Sequence, residues 1–258
     1  MATPPPARIW SSSCRWSPLP RSSGSSTVRP LPLMPLRFLR RRTVFFANAT
    51  ALLTFATSTS MIFLLTAYLQ VLLSYTPLYA ALALIPGALI YFLLGGFGAP
   101  RLVRRYGARP VLVVAMASLA VGVLSFSRIS LTSEYLSVVL PALLLASVGG
   151  ALSATASNIA ALGGAERGEE GVASGLINTS RQIGGPIGLA LAASVIGRVT
   201  HGAGVTAPGG EVLTALRYAF ITCAFFAAFA MVCSLLLKGK PRSTPIGTPQ
   251  SPPPLSPK

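Results

Sequence analysis

Leu78–Pro100 reads LYAALALIPGALIYFLLGGFGAP and carries no charged residue and no histidine. At a helical rise of about 1.5 Å per residue, a run of about 20 apolar residues crosses the hydrocarbon core of a bilayer. In lipid every backbone N–H and C=O has to be paired inside the protein, and a helix does this within one segment. Pro86 followed by Gly87 lies in the middle of the run and predicts a kink, because proline removes one ladder hydrogen bond and crowds the preceding turn.

Working outward, five further apolar stretches follow the same rule: Val44–Leu73, Val111–Ser127, Tyr135–Gly163, Val172–Val199 and Thr214–Leu237. The expected fold is therefore an all-α membrane protein, a six-transmembrane-helix bundle within residues 37–240. Residues 1–36 are rich in Pro, Ser and Arg and contain no acid, and residues 241–258 are rich in Pro and Ser. Both ends are expected to be disordered tails. Hydrophobic residues make up 52% of the chain and charged residues 10%, too few charges to coat a soluble domain.

A net charge of +16 raises the question of nucleic acid. The placement of the arginines answers it: they cluster at the ends of apolar stretches, where cytoplasmic loops carry them. Arg37, Arg40, Arg41 and Arg42 precede the first stretch. Arg101, Arg104, Arg105 and Arg109 follow the second, and Lys238, Lys240 and Arg242 follow the sixth. The opposite side has Arg128, Arg198 and Arg217 at or near span ends. Both termini are expected in the cytoplasm, which requires an even number of spans. The partner implied by this layout is a lipid bilayer, not nucleic acid.

Chemistry-bearing groups are sparse. The chain has no Asp, and Glu134, Glu166, Glu169, Glu170 and Glu211 all read as loop residues. His201 is the one histidine, in a glycine-rich loop. Cys223 and Cys233 are about 15 Å apart on one helix, too far to bridge each other. No metal site, cofactor or disulfide framework is expected. An intramembrane enzyme needs positioned acid–base or metal groups, and the spans offer none.

Two stretches stand out. GGFGAPRLVRRYGARPVL, Gly95–Leu112, has glycines suited to close helix approach, with Gly107 at a turn. Its Arg105 and Arg109 are placed to bond helix C-terminal carbonyls or a neighbouring carboxylate; a plain positive loop would also explain the arginines. The second stretch is GVASGLINTSRQIGGPIGLAL, Gly171–Leu191. Ser174, Asn178, Arg181, Gln182 and Gly185 share one face at helical spacing, beside a small-residue strip of Gly184, Gly188 and Ala192. Arg181 falls deep in the span, where a charge should face the bundle interior or a cavity. Two readings stand at this point: a residue lining a substrate pathway, or an arginine that pairs with backbone carbonyls and locks the bundle. Asn158 and Gln70 could line the same cavity or bond between helices. Tyr68, Tyr91 and Tyr135 read as interfacial anchors.

The first stretch resembles the motif A loop of the major facilitator superfamily, with Arg104 standing where that motif has Asp. The second, with its Asn178-Thr179-Ser180-Arg181-Gln182 core, resembles the penultimate span of the fourteen-span drug:proton antiporters, the EmrB/QacA group. Pro32–Asn48, PLMPLRFLRRRTVFFAN, is similar to that group's entry into its ninth span. Gly184, Gly185, Pro186 and Gly188 resemble the glycine–proline pattern of antiporter motif C, which belongs to the N-terminal half. The likeness covers residues 32–240.

This resemblance implies one C-terminal half of a major facilitator transporter that exports a small amphipathic organic compound in exchange for protons across the plasma membrane. It further implies Asn158, Asn178, Arg181 and Gln182 as pathway lining. Gly184, Gly185, Pro186 and Gly188 would shape the helix, and Arg105, Gly107 and Arg109 would form a cytoplasmic gate. A missing N-terminal half or a second copy would complete the pathway. The rival expectations are a non-transporting remnant or interaction partner, and a six-span permease driven by a nucleotide-binding partner.

Overall fold

The computed structural model describes residues 42–130, 135–163 and 169–236. Both expected tails lie outside the described residues, as do Glu134, Glu166 and the stretch 32–41. Among the described residues there are helices and turns and no strand. Six helices are long and apolar enough to cross a membrane: α1 Thr43–Leu72, α2 Pro77–Tyr106, α3 Ala108–Arg128, α4 Tyr135–Gly163, α5 Glu170–Val199 and α6 Gly209–Leu235.

The ends differ from the sequence reading in physically simple ways. The expected loop after α2 is mostly helix: a π-helical turn at Leu94–Gly98 leads into the α-helical turns Ala99–Tyr106, so Arg101, Arg104 and Arg105 extend α2. Gly107 alone breaks the chain, at φ 88°, and α3 starts at the next residue. A glycine tolerates that left-handed value where other residues do not. Glu170 and Glu211, read as loop residues, sit in the first turns of α5 and α6. There the positive end of the helix dipole favours a carboxylate. Pro86 and Pro186 lie inside α2 and α5, and both helices continue through them.

Helix pairing follows a repeating plan. α5 and α6 pack on α1, while α2 and α3 pack on α4; α1 touches α4, and α3 touches α6. Exchanging the first three helices with the last three maps these contacts onto one another. α1 and α4 form the centre, and α2 is the most outlying span.

Apolar side chains gain little by leaving lipid tails for a protein interior, so the packing rests on close backbone approach. α1 meets α5 through glycines. A Cβ built on Gly184 would overlap the Leu52 carbonyl, and one on Gly188 would overlap that of Ala56. α3 meets α4 in the same manner: Gly122 lies against the Ala146 backbone and Gly149 against Leu119 and Ala115. Ser118 adds a hydrogen bond to the Leu145 carbonyl at 2.8 Å. Four buried hydroxyls of α1 are paired within the helix. Thr50, Thr54, Thr57 and Ser60 donate to carbonyls one turn back, at 2.7–2.9 Å. They are therefore buried within the bundle without an unmet donor.

Two tyrosines expected at the interface have other roles. Tyr68 is fully buried and donates to the Ser130 carbonyl at 2.8 Å, and Tyr91 lies midway along α2 with its ring against Gly150. The third, Tyr135, opens α4 and donates to the Ala83 carbonyl at 2.5 Å.

The glycine seam gives a direct expectation. Gly188→Ala forces a methyl group into the α1 backbone and should cost about 1–3 kcal/mol, the usual range for overpacking. Gly175, on the same helix with open space around its Cα, is the control; Gly175→Ala should be neutral or stabilising. Thermal unfolding of the two variants in detergent checks this, and equal midpoints would contradict the seam.

Candidate functional site

α5 carries its polar stripe along one edge of the seam with α1. Ala173, Ile177, Gly184, Gly188, Ala192 and Ile196 are buried, and Ser174, Asn178 and Gln182 are exposed. Arg181 lies between the two sets and is half-buried. By helical rise it stands about 17 Å from Glu170 and about 27 Å from Val199, close to the middle of the span.

The guanidinium of Arg181 reaches across to two neighbouring helices. Its Nη2 donates to the Ala154 carbonyl of α4 at 2.6 Å. Its central carbon lies 5.1 Å from the centroid of the Phe55 ring on α1. A cation over an aromatic face contributes about 0.5–2 kcal/mol, with the larger value for desolvated pairs. The Nε–H is buried and has no hydrogen-bond partner among the described residues. An unmet buried donor costs about 1–3 kcal/mol, more where it belongs to a charged group.

Other groups surround it. The Tyr91 phenol is within electrostatic range of the guanidinium. A Cβ on Gly150 would meet the Tyr91 ring at 3.3 Å and the Ser58 hydroxyl at 3.6 Å, which places α2, α1 and α4 at one point. A Cβ on Gly185 would meet the Thr59 hydroxyl at 3.3 Å, so this glycine lets α5 lie beside a polar stretch of α1. Asn158 stands one turn beyond Ala154 on α4 and is half-buried. Deeper in the seam, the Ser180 hydroxyl donates to Asn48 Oδ1 at 3.1 Å, while Asn48 donates to the Val44 carbonyl. Pro186 frees the carbonyl of Gln182 from its helical partner on the exposed side of α5.

The structure thus brings Arg181 to the α1–α4 junction and leaves Asn178 and Gln182 exposed on the adjoining face of α5. It bears on both readings of Arg181: the guanidinium bonds a backbone carbonyl, as a locking residue would, yet most of its donors are not used in that bond. Phe55, Ser58, Thr59 and Tyr91 were not singled out from sequence as site residues. A small residue at 150 facing an aromatic on another helix leaves no periodic signal in either segment.

The arginine-rich turn divides. Arg105 is exposed, with its guanidinium 5.3 Å from the adjacent Tyr106 ring. Arg109 Nη2 donates to the Leu235 carbonyl, the last residue of α6, at 2.7 Å. At the other end of the same helix pair, Arg217 of α6 donates from Nε and Nη2 to the Ile129 carbonyl beyond α3, at 2.8 and 2.5 Å. Each arginine satisfies a carbonyl left open at a helix end and complements its negative dipole. α3 and α6 are therefore tied at both ends by reciprocal arginine caps.

Comparison with known proteins agrees with this architecture. A profile described as Major Facilitator Superfamily matches residues 9–189. A cephamycin export protein, CmcT, of Amycolatopsis lactamdurans is 34% identical over 219 residues. That match covers 84% of this chain and 43% of the relative, so the chain spans less than half of the relative's length. Given six membrane-type helices in a two-fold pairing plan and a family match over most of the chain, the protein belongs to the major facilitator superfamily and is a multi-pass membrane protein of the transporter type.

Proposed function

We propose that this chain works as the C-terminal half of a proton-coupled exporter of small amphipathic organic compounds, of the fourteen-span drug antiporter branch, in the plasma membrane. It would pair with a separate N-terminal half or with a second copy. The observation that carries the reading is the position of Arg181: a charged side chain in mid-span, flanked by exposed Asn178 and Gln182. An exposed polar face at that depth is unfavourable against lipid and suits a pathway between two halves. The export function in the name of the 34% identical relative supports the same direction of transport.

Arg109 and Gly107 would then set the cytoplasmic end of the pathway, with Arg109 holding α3 to the end of α6. Asn158 would line its cytoplasmic part. Proton coupling needs a membrane-buried group that titrates, and arginine stays protonated. Among the described residues the acids within the spans are Glu170 and Glu211, both in first turns. The coupling acid would therefore come from the other half. A non-transporting remnant or membrane interaction partner is the second reading.

Orientation is tested by cysteine labelling in a Cys14→Ser background. Tyr106→Cys and Val205→Cys should react with an impermeant thiol reagent from opposite sides of the membrane, Tyr106→Cys from the cytoplasm. Labelling from one side would overturn the six-span orientation.

Transport is tested in an efflux-deficient host. The chain alone should leave dye accumulation unchanged, and co-expression with an N-terminal half from a related exporter should lower it. In that pairing Arg181→Ala should abolish efflux at near-normal protein abundance. Arg181→Lys should restore a minor part, because lysine lacks the planar fork of donors. Full activity of Arg181→Ala, or no efflux in any pairing, would favour the remnant reading.

A further inference from the structure

The charge balance of the mid-span site points to one class of guest. Among the described residues Arg181 is the one ionised side chain there: the chain has no Asp, and the described glutamates of the spans are confined to first turns, about 17 Å away along α5 in the case of Glu170. Every other polar group around it is neutral, namely Asn178, Gln182, Ser58, Thr59 and the Tyr91 phenol. An uncompensated positive charge at that depth repels organic cations and attracts anions.

The hydrogen-bond inventory agrees. A guanidinium offers five N–H donors. One is recorded in a bond, to the Ala154 carbonyl, and the buried Nε–H has no partner among the described residues. Ala154 is a weak anchor for a charge, since its carbonyl lies within helix α4 and also accepts from the Ser157 hydroxyl at 3.1 Å. The contrast with Arg109 and Arg217 is direct. Those two cap carbonyls at helix ends: Arg109 lies exposed there, and Arg217 engages both its Nε and its Nη2. Arg181 has donors to spare, in a fork that matches the two oxygens of a carboxylate. The Phe55 ring supplies an aromatic wall next to that fork, and Tyr91, packed on Gly150, lies within electrostatic range of it.

We infer that the Arg181 site selects amphipathic organic anions: a carboxylate or similar acid on the free edge of the guanidinium, and an aromatic or apolar body against Phe55 and Tyr91. This inference rests on the reading of the α1–α4–α5 face as a transport pathway. Organic cations, the opposite class of amphipathic guest, would be disfavoured until an acid is placed beside Arg181.

The test uses the purified 258-residue chain in nanodiscs of zwitterionic lipid, at near-physiological salt to screen the arginine-rich ends. Equilibrium dialysis measures two probes with the same ring and opposite charge, 2-naphthoate and 2-naphthylmethylammonium, against empty nanodiscs. Naphthoate should bind about tenfold or more tightly than the ammonium probe. Arg181→Gln should remove that preference. Asn178→Glu puts a carboxylate three residues from Arg181 at an exposed position, compensates the positive charge, and should likewise remove the preference. It keeps the test decisive if Arg181→Gln fails to fold. A naphthoate preference that survives both variants, or equal binding of the two probes, would overturn the anion inference and leave the pathway reading standing. Binding of neither probe above empty nanodiscs would remove both.

Discussion

Backbone contact between α1 and α5 is the constraint on which the rest depends. At Gly184 and Gly188 the helix surfaces meet with no side chain between them, against the carbonyls of Leu52 and Ala56. In lipid there is little hydrophobic force to draw helices together, so dispersion and close approach have to do it. That approach fixes the rotation of α5. With Gly184 and Gly188 turned inward, Arg181 falls on the edge of the seam, near Phe55 and Ala154. Asn178 and Gln182 fall on the face beyond it. A substituent at either glycine would push α5 outward and withdraw the guanidinium from both neighbours.

The arginines show how position decides role. Arg109 and Arg217 have the same chemistry as Arg181 but lie near helix ends, where open carbonyls exist to receive them. They tie α3 to α6, the pair that mainly flanks α1 and α4 on one side. Arg181 lies in mid-helix, where neighbouring carbonyls are already engaged in the helical ladder. Its charge is therefore incompletely satisfied by the protein, and this is the property a binding group requires. The exposed surface of α6 makes the opposite case: Tyr218, Phe225, Phe229 and Val232 form an apolar face suited to lipid.

Much of the architecture was legible in the sequence because bilayer thickness imposes it. Runs such as Leu78–Pro100 and Tyr135–Gly163 are long, apolar and bounded by charge or turn residues, and six such helices are present. The small-residue strip Gly184, Gly188, Ala192 is readable from spacing alone, and it does lie in the seam. The ends were less legible. Arg101, Arg104 and Arg105 read as a loop because charge marks the membrane boundary, whereas the helix continues into the polar region until Gly107 stops it. Tyr91 read as an interfacial anchor by residue type, yet it lies midway along its helix against Gly150. Contacts between helices distant in sequence, such as Arg181 with Phe55 or Arg109 with Leu235, depend on helix rotation, which no single segment encodes.

The central claim is that the mid-span polar face of α5 borders a water-accessible pathway, while the face of α6 borders lipid. Single cysteines at Gln182 and Phe225, both exposed and both near mid-span, test it most directly. In native membranes and a Cys14→Ser background, each is challenged with a small water-soluble thiol reagent. Gln182→Cys should react readily and Phe225→Cys should remain unmodified. Reaction at Phe225→Cys with protection at Gln182→Cys, or protection of both, would contradict the account.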